Sequence, residues 1–381
     1  MMQAAGKDVA VLGGGLAGAA AAIVLARAGR RVTLLERERE PKHKVCGEFL
    51  SAEALHLLRM LGVSPKELGA TPIHGVRLCA AGSVTESALP FRAMSLTRRR
   101  LDPAMLQAAE AAGVDVRRGV AIESLLCENG VWRASLSGGE AVVAASAVLA
   151  TGKHDLRGHT RPEGPQGDLV AMKMYWRLDP AQAAALGGNV ELLLHPGGYT
   201  GLEPVEQGMA NLCCLVKRQR LAKLGGWEGL LEELRATCPQ ARKRLEGAEP
   251  LLAKPLAVAS IPYGFVRGEA AGEGLWAVGD QAAVIPSFTG DGMSIALYSG
   301  VRAAESLLAG ESAAAFQAGL HRELRWQVAR ATALSRALVR EPSKRLLVGA
   351  VRFLPALLRG AATATRLPKT ALARRIAPGA A

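Results

Sequence analysis

A strand–turn–helix–strand pattern near the start of the chain constrains its fold more than any other feature. Residues 8–12 form a short apolar run, which is typical of a strand covered on both faces. A glycine-rich turn with G-x-G-x-x-G spacing follows. Residues 19–26 have strong helix propensity and predict a helix that Gly29 terminates. Residues 31–36 form a second strand. This order predicts an α/β fold with a Rossmann-type unit at its start.

Each glycine of the turn has a physical role. Gly13 permits the tight turn, Gly15 lets the backbone approach a pyrophosphate, and Gly18 lets the helix pack closely on the strand. The unpaired N–H groups and positive dipole end of the helix favour phosphates. Glu36 ends the second strand, where a carboxylate accepts hydrogen bonds from a ribose, and Arg37 follows it. The predicted dinucleotide-binding residues here are Gly13, Gly15, Leu16, Ala17, Gly18, Glu36 and Arg37.

A second strand–turn–helix block late in the chain separates FAD from NAD, which the first motif alone does not. Residues 274–278 form a short buried strand, and Asp280 behind it can accept hydrogen bonds from a ribityl chain. Residues 290–293 open a helix whose N–H groups can face the electron-rich edge of a flavin and stabilise its reduced form. The two distant blocks suit a long ligand and predict FAD. The flavin-side residues are Asp280, Gly290, Gly292 and Met293.

The order of these motifs resembles that of a known superfamily. The glycine turn, Glu36-Arg37, an R-x-x-L-D element at 98–102, Ala-Thr-Gly at 150–152 and the 279–292 block occur as in p-hydroxybenzoate-hydroxylase-type flavoproteins. That superfamily includes aromatic hydroxylases, geranylgeranyl reductases and flavin-dependent halogenases. The resemblance covers about residues 8–310. It implies a Rossmann-type FAD domain interrupted by an antiparallel sheet that roofs the substrate pocket.

The resemblance also implies roles for individual residues. It places Arg98 near the FAD phosphates or ribityl chain, Ile122 against the adenine and Asp280 on the ribityl chain. It includes Thr151 and Gly152 in the cofactor site.

Within the superfamily, residues 44–51 look like a loop of geranylgeranyl reductases and of related oxidoreductases found beside polyketide genes, which places Cys46 and Gly47 at the cofactor. Residues 195–216 also look like that subgroup. The chain departs from the hydroxylases, which carry Asp where Thr151 stands. It lacks the halogenase W-x-W-x-I-P signature and the archaeal reductase pattern Y-x-W-x-F-P, with Tyr175-Trp176 as a candidate remnant of the latter. FAD binding therefore follows, whereas the reaction type stays open.

Alternating apolar patterns between residues 165 and 260 predict an inserted antiparallel sheet. The fold expected is an α/β Rossmann-type FAD-binding domain with an inserted antiparallel β-sheet substrate domain and a C-terminal helical segment. The boundaries are 1–75, 96–160 and 260–325 for the FAD-binding domain, 76–95 and 161–259 for the substrate domain, and 326–381 for the C-terminal helical basic segment.

The chain is basic, with 47 Lys and Arg against 34 Asp and Glu and a net charge of +13. Basic residues outnumber acidic ones most strongly beyond Arg322, but no interleaved aromatics or reading helix accompany them, so no nucleic-acid partner is expected. Residues 334–358 read as one helix, apolar on one side and basic on the other. Two interpretations stand: a helical cap packed on the body, or an interfacial helix on anionic lipid.

Targeting and spanning signals are not evident in the sequence. No apolar run reaches the length of a spanning helix, and no cleavable signal is evident. The six cysteines form no C-x-x-C pair, so the expected setting is cytoplasmic, with membrane association an open possibility.

Two side chains are candidates for direct chemistry. Cys46 follows two lysines and a histidine, a setting in which a thiol can act as thiolate or proton donor, although a small buried hydrophobe is an equal alternative. Tyr199 lies in a glycine-rich turn, where it either positions substrate or caps a hairpin. No metal site is expected, and His154, His159 and His195 read as surface or turn residues.

The first functional hypothesis is an NAD(P)H-dependent monooxygenase that hydroxylates a lipophilic or polyketide-like aromatic in secondary metabolism. NAD(P)H would bind transiently, because the chain has no second G-x-G-x-x-G. The alternatives are a reductase of prenyl or enone double bonds, and a non-catalytic protein that holds flavin.

Overall fold

The computed structural model describes residues 8–80 and 82–367. The strands, in chain order, are β1 (Asp8–Leu12), β2 (Arg31–Glu36), β3 (Phe49–Leu50), β4 (Thr71–Ala80), β5 (Ser83–Ser95), β6 (Asp115–Arg118), β7 (Ile122–Glu128), β8 (Val131–Leu136), β9 (Ala141–Ala144), β10 (Ser146–Leu149), β11 (Leu169–Arg177), β12 (Asn189–His195), β13 (Gly198–Pro204), β14 (Ala210–Lys217), β15 (Glu249–Pro250), β16 (Leu256–Val258) and β17 (Leu275–Ala277). The α-helices are α1 (Leu16–Arg27), α2 (Ala52–Met60), α3 (Arg98–Ala111), α4 (Pro180–Leu186), α5 (Arg218–Lys223), α6 (Trp227–Thr237), α7 (Pro239–Arg244), α8 (Gly292–Leu308), α9 (Ala313–Val339), α10 (Glu341–Phe353) and α11 (Ala356–Ala364).

A parallel sheet of order β17-β10-β1-β2-β6 organises the first layer. β1 is apolar throughout because both of its faces are covered. Val9 and Val11 pack with α1, α3 and α8, whereas Ala10 and Leu12 pack against the three-stranded sheet β7-β8-β9. The predicted α/β architecture with a Rossmann-type unit is confirmed, and β1 and β2 have the predicted bounds.

Helices α1 and α8 cross closely over this sheet. A Cβ on Gly300 of α8 would lie 2.2 Å from the backbone oxygen of Ala17 in α1, so only glycine lets the two backbones meet there. β1 and β17 are parallel to β10 between them, so the turns that follow β1 and β17 both lie at the carboxyl edge of the sheet. This edge carries the two predicted nucleotide-binding blocks.

A second sheet of nine strands has the order β15-β11-β14-β13-β12-β4-β5-β3, with β16 also paired to β11. Its pairs are antiparallel except for β12 with β4, which run parallel. One face packs on α6 and α7, with Met174 and Trp176 of β11 and Leu202 of β13 in that core. The opposite face of β13, with Tyr199, contacts α9 and α10 residues. The predicted antiparallel insertion is therefore present, and β4 enters it from Thr71.

In three segments of the chain a turn or a proline separates two consecutive elements. Residues 115–124 divide into β6 and β7 around Gly119, whose φ of 76° turns the chain into another sheet. Residues 142–150 divide into β9 of the three-stranded sheet and β10 of the parallel sheet. Residues 334–358 contain the end of α9, all of α10 and the start of α11, because Pro342 and Pro355 each begin a new helix.

Helices α10 and α11 pass over the second sheet at the end of the described chain. Among the described residues, no single helix has the length and apolar character to span a bilayer; α10 and α11 meet that test only as a pair, bent by 117° at their break. The remainder of the predicted C-terminal segment, 368–381, lies outside the described residues.

Candidate functional site

The turn between β1 and α1 requires its glycines. Gly13 has a φ of 115°, and a Cβ there would lie 2.4 Å from the backbone oxygen of Ala150. A Cβ on Gly18 would lie 1.9 Å from the oxygen of Gly13. Above Gly15 the space is open, and the first atom that a Cβ would meet is Nη2 of Arg98 at 3.5 Å. The turn is thus a backbone cradle with a guanidinium facing its open side.

The start of α1 is suited to an anion. No side chain caps the helix at Gly15, and its first turn carries no acidic residue, so its N–H groups keep their positive end free. Leu16 and Ala17 are buried in the core and contribute backbone rather than side chain.

Glu36 is fixed at this cradle. Its Oε2 accepts a hydrogen bond from the Gly14 N–H at 2.8 Å, and its Oε1 accepts one from the Glu38 N–H at 2.9 Å. Arg37 is exposed and pairs with Glu38. Ile122 begins β7, close to Glu36, because the Val120 N–H donates to the Glu36 carbonyl at 3.1 Å.

Arg98 begins α3 and is oriented by carboxylates. Its Nε lies 2.6 Å from Oδ1 of Asp102, which also pairs with Lys44 at 2.8 Å. Burial disfavours the charged guanidinium, but the charge of Asp102 outweighs this effect and raises the pKa of Arg98. Arg98 therefore stays cationic beside Gly15.

The late block brings Asp280 and Gly152 together at the same edge of the sheet. The Asp280 carbonyl accepts from Nη1 of Arg161 at 3.0 Å, and Nε2 of Gln281 donates to the carbonyl of Gly152 at 2.9 Å. Thr151 lies next to Gly152 and its hydroxyl donates to the His154 carbonyl at 2.7 Å.

The turn at 290–292 is left-handed and packed against an aromatic ring. Gly290 has a φ of 69°, and a Cβ there would lie 2.5 Å from the ring of Phe49. Gly292 is the first residue of α8, whose N-terminus has no side-chain cap; Met293 is buried, so its backbone is the part available at the turn. Asp291 is buried below the turn, with Arg366 at 3.1 Å and Gln327 at 2.5 Å. Burial raises the pKa of Asp291 to about 6.

The loop with Cys46, Gly47 and Glu48 joins α3 to the second sheet through buried charges. Glu48 has a φ of 63° and accepts hydrogen bonds from the Arg98 N–H at 2.9 Å and the Tyr175 hydroxyl at 2.7 Å. Lys173 of β11 lies 2.8 Å from Glu48, and both side chains are 0% exposed. Lys173 also donates to the Cys46 carbonyl at 3.0 Å.

Asn211 of β14 binds the same loop. It donates to the Gly47 carbonyl at 3.0 Å. Cys46 is half-buried, and its Sγ accepts from the Glu48 N–H at 3.3 Å.

A cavity of about 310 Å³ extends from this loop between the second sheet and the C-terminal helices. Its floor is formed by alternate residues of two strands, since successive residues face opposite sides of a sheet. These are Tyr199, Gly201 and Glu203 of β13 and Asn211 and Cys213 of β14. One part of its wall is formed by residues in and beside the two loops: Gly47, Phe49, Phe288 and Gly290. Another part is formed by aliphatic residues of α9 to α11: Leu338, Leu347, Val351 and Leu358. The cavity is therefore mainly apolar and reaches both loops predicted for the flavin.

Comparisons with known proteins agree with this geometry. A family model described as an FAD binding domain matches residues 7–150. The menaquinone reductase of Mycolicibacterium smegmatis is 26% identical over 321 residues, 80% of this chain and 76% of that protein. Digeranylgeranylglycerophospholipid reductase 2 of Methanosphaera stadtmanae is 26% identical over 312 residues, 78% of this chain and 76% of that protein.

Solved structures share the fold. The myxobacterial chondrochloren halogenase CndH has a TM-score of 0.70 and 24% identity, covering 80% of this chain and 76% of that chain. The flavin-dependent brominase Bmp2 has a TM-score of 0.77 and 18% identity, covering 94% of this chain and 93% of that chain. The chain therefore contains an FAD-binding domain and is similar to FAD-dependent oxidoreductases over about four-fifths of its length.

FAD fits the residues that this flavoprotein presents. The cradle is closed at Gly13 and Gly18 and open above Gly15, where a pyrophosphate would lie near the Arg98 guanidinium. Glu36 is placed for a ribose, and Asp280 lies at the same sheet edge for the ribityl chain. Gly290 and Gly292 would lie against the flavin ring of FAD. When bound, FAD supplies two-electron redox chemistry, and the protein positions the substrate against it.

Sequence reasoning did not single out several residues of this flavoprotein's site. Lys173, Glu203 and Asn211 are buried polar side chains on strands of the second sheet. The sequence does contain a signal for Lys173, because it is a single charged residue in an otherwise apolar strand, residues 169–176. Tyr175 and Trp176 lie on β11, and neither lines the cavity.

The ends of the Y-x-W-x-F-P pattern are instead present on β13. Tyr199 and Pro204 have its spacing, with Gly201 and Glu203 where Trp and Phe stand in the pattern.

The prediction that His195 is a surface or turn residue is wrong. His195 is the last residue of β12 and is fully buried, with Nε2 3.2 Å from Oγ1 of Thr200. Burial lowers the pKa of His195 to about 4, so its ring is neutral near neutral pH. The sequence reading failed here because Pro196-Gly197 behind it looks like an exposed turn, whereas α10 covers that turn: Lys344 donates to the His195 carbonyl at 2.6 Å.

Proposed function

We propose that this flavoprotein is a reductase that saturates a carbon–carbon double bond of a lipophilic substrate, with NAD(P)H as a transient electron donor. The observation that carries the proposal is the apolar cavity that joins the Gly47 and Gly290 loops to α9, α10 and α11. A cavity of this kind binds by excluding water from an apolar substrate.

Named relatives support a reductase over the hydroxylase hypothesis. A menaquinone reductase and a digeranylgeranylglycerophospholipid reductase match about four-fifths of this chain, and both names contain a lipid-soluble compound and a reductase activity. The halogenase and brominase structures support the fold alone. The hydroxylase hypothesis stays a prediction that the same experiment tests.

The chain's own residues orient the reaction. The buried pair of Glu48 and Lys173 holds the loop on one side of the cavity, and the buried Asp291 holds the Gly290 turn on another. The aliphatic side chains of α9 to α11 exclude water from the space between them. This arrangement keeps a lipophilic substrate against the part of the cofactor site that would hold the flavin ring.

Incubation of the holoenzyme with NADPH or NADH and a lipophilic alkene mixture, with oxygen removed, is expected to give products heavier by about 2 Da. Bleaching of the flavin absorbance by one of the two nucleotides identifies the donor. Products heavier by about 16 Da that form only in air would support the hydroxylase instead and contradict the proposal.

The proposed localisation is a membrane surface, contacted through α10 and α11. The break between these helices is an apolar tip: Phe353 is 89% exposed, and Leu354 and Leu357 are exposed beside it. Leu346 on α10 is 77% exposed. Apolar side chains of this size at a helix break would be stabilised by insertion into the boundary of a bilayer.

The charge around this tip fits an anionic lipid surface. Arg345, Arg352 and Arg359 are exposed, and the sequence from 342 to 367 contains no Asp or Glu. The inner faces of the same helices line the cavity, through Leu347 and Val351 among others. A lipophilic substrate could then pass from the bilayer to the cavity without crossing water.

Replacing Arg345, Arg352 and Arg359 together by Gln is expected to weaken binding to vesicles of phosphatidylcholine and phosphatidylglycerol by about a hundredfold, since each cation contributes about 1 kcal/mol. Co-sedimentation at low and high salt measures it. The matched control removes three exposed cations elsewhere, Arg133, Arg157 and Lys254, and should bind as the wild type does. Equal loss in both variants would show non-specific charge attraction and contradict a docking surface.

A further inference from the structure

The floor of the cavity carries polar side chains within apolar walls. On β13, Tyr199, Gly201 and Glu203 face the cavity at alternate positions, and Asn211 is paired opposite Glu203 on β14. Glu203 is 4% exposed and Tyr199 is 2% exposed. These groups lie on the floor of the cavity that also contains Gly47 and Gly290 in its walls.

The hydrogen-bonding capacity of these groups is only partly used. Among the described residues, the contact of Glu203 is with Nδ2 of Asn211, at 3.4 Å. That amide donates more closely to the Gly47 carbonyl at 3.0 Å, and Oδ1 of Asn211 has no partner in the described part of the chain. The Tyr199 hydroxyl, near Ser287 and Ser335, likewise has no partner there.

The surroundings of Glu203 favour its neutral, protonated carboxyl group over the anion. Lys173 of β11, which β14 separates from β13, is paired with Glu48 at 2.8 Å. Burial and the nearby charge of Glu48 raise the pKa of Glu203 well above its usual range, against the opposing effects of Asn211 and Lys173. A protonated carboxyl in an apolar site offers one O–H to a ligand.

A hydrocarbon in this cavity would leave the Glu203 and Tyr199 O–H groups buried without acceptors, which costs free energy. We propose that Glu203 binds a carbonyl oxygen of the substrate, so that the double bond reduced is conjugated to a ketone. The substrate class is then a lipophilic enone rather than an isolated prenyl alkene. This inference rests on the proposed reductase function and specifies its substrate.

The chemistry of an enone uses such a donor. When bound and reduced by NAD(P)H, FAD would supply a hydride for the β-carbon and would itself be oxidised, and the π electrons of the double bond would move toward the carbonyl oxygen. The Glu203 O–H stabilises the negative charge that develops on that oxygen. The α-carbon then takes a proton from water, so that two C–H bonds form and one C=C π bond is lost.

The test compares two probes of equal chain length, (E)-dodec-3-en-2-one and (E)-dodec-3-ene, titrated into the oxidised holoenzyme and followed by the flavin absorbance. The enone is expected to bind about tenfold or more tightly than the alkene. In Glu203→Leu the two should bind alike, whereas Glu203→Gln, which keeps an N–H donor, should retain part of the preference. Cys214→Ala, a substitution on the opposite face of β14, is the control and should keep the whole preference for the enone.

A vibrational readout separates recognition from a merely structural role. With a ¹³C-labelled ketone, the carbonyl stretch should shift to lower frequency in the wild type and return toward its solution value in Glu203→Leu. Equal binding of enone and alkene to the wild type would overturn the inference. If the enone binds more tightly than the alkene but no reduced product forms, the proposed reductase function fails while carbonyl recognition stands. If alkenes are reduced but the enone does not bind more tightly, the reductase function stands while carbonyl recognition fails.

Discussion

Lys173→Met is expected to lower the free energy of unfolding by about 3–5 kcal/mol, because it leaves the Glu48 carboxylate buried without its cation. Glu48 holds the N-terminus of α3 through the Arg98 N–H, so bound flavin should also be lost. Chemical denaturation followed by circular dichroism, together with the flavin absorbance of the purified protein, measures both effects.

A control for this substitution lies on the same strand. Arg177 pairs with Glu249 at 3.0 Å, but both side chains are 67% exposed, so Arg177→Met should cost less than about 1 kcal/mol. The double variant Lys173→Met with Glu48→Gln removes both charges and should recover part of the stability. If Lys173→Met unfolds like Arg177→Met, the buried pair is not what joins the loop to the sheet.

Gly201→Trp is expected to lower kcat/KM by at least about a hundredfold while leaving flavin content unchanged. A Cβ on Gly201 would meet no atom within 4 Å, so a side chain can be accommodated there, and it would project into the cavity of about 310 Å³. An indole would occupy the volume that the substrate needs, an effect on transition-state binding of about 3 kcal/mol or more.

The graded control is Gly201→Ala, which adds one methyl group to open space and should keep near-normal turnover. Flavin absorbance and denaturation of both variants show whether the fold is intact. Normal turnover of Gly201→Trp with full flavin content would place the substrate elsewhere.

Much of the cofactor site was predictable from local sequence. The strands β1 and β2 have the predicted bounds, and α1, predicted over 19–26, spans Leu16–Arg27. A strand covered on both faces, a glycine turn and an alanine-rich helix each have short-range signatures. Gly29 ends α1 with a φ of 76°, as a glycine after a helix does. The late turn with Gly290 and Gly292 follows the same local rules.

The cavity proposed for the substrate was less predictable, because its residues come from strands that meet only in the folded chain. Tyr199 was a candidate from its turn-like surroundings, but its neighbours on the cavity floor, Glu203 and Asn211, are set by the register of β13 with β14. The roles predicted for Cys46, Arg37 and Ile122 stay predictions, although the structure places Arg37 and Ile122 around Glu36.

The sequence by itself determined the nucleotide-binding unit and the kind of cofactor, since these depend on backbone geometry encoded over a few consecutive residues. Only the tertiary structure decided that Lys173 neutralises Glu48, that α10 and α11 close the cavity, and that the carboxyl group of Glu203 is buried in its floor. Burial and charge pairing depend on which distant segments exclude water from each other, and no local pattern in the chain contains that information.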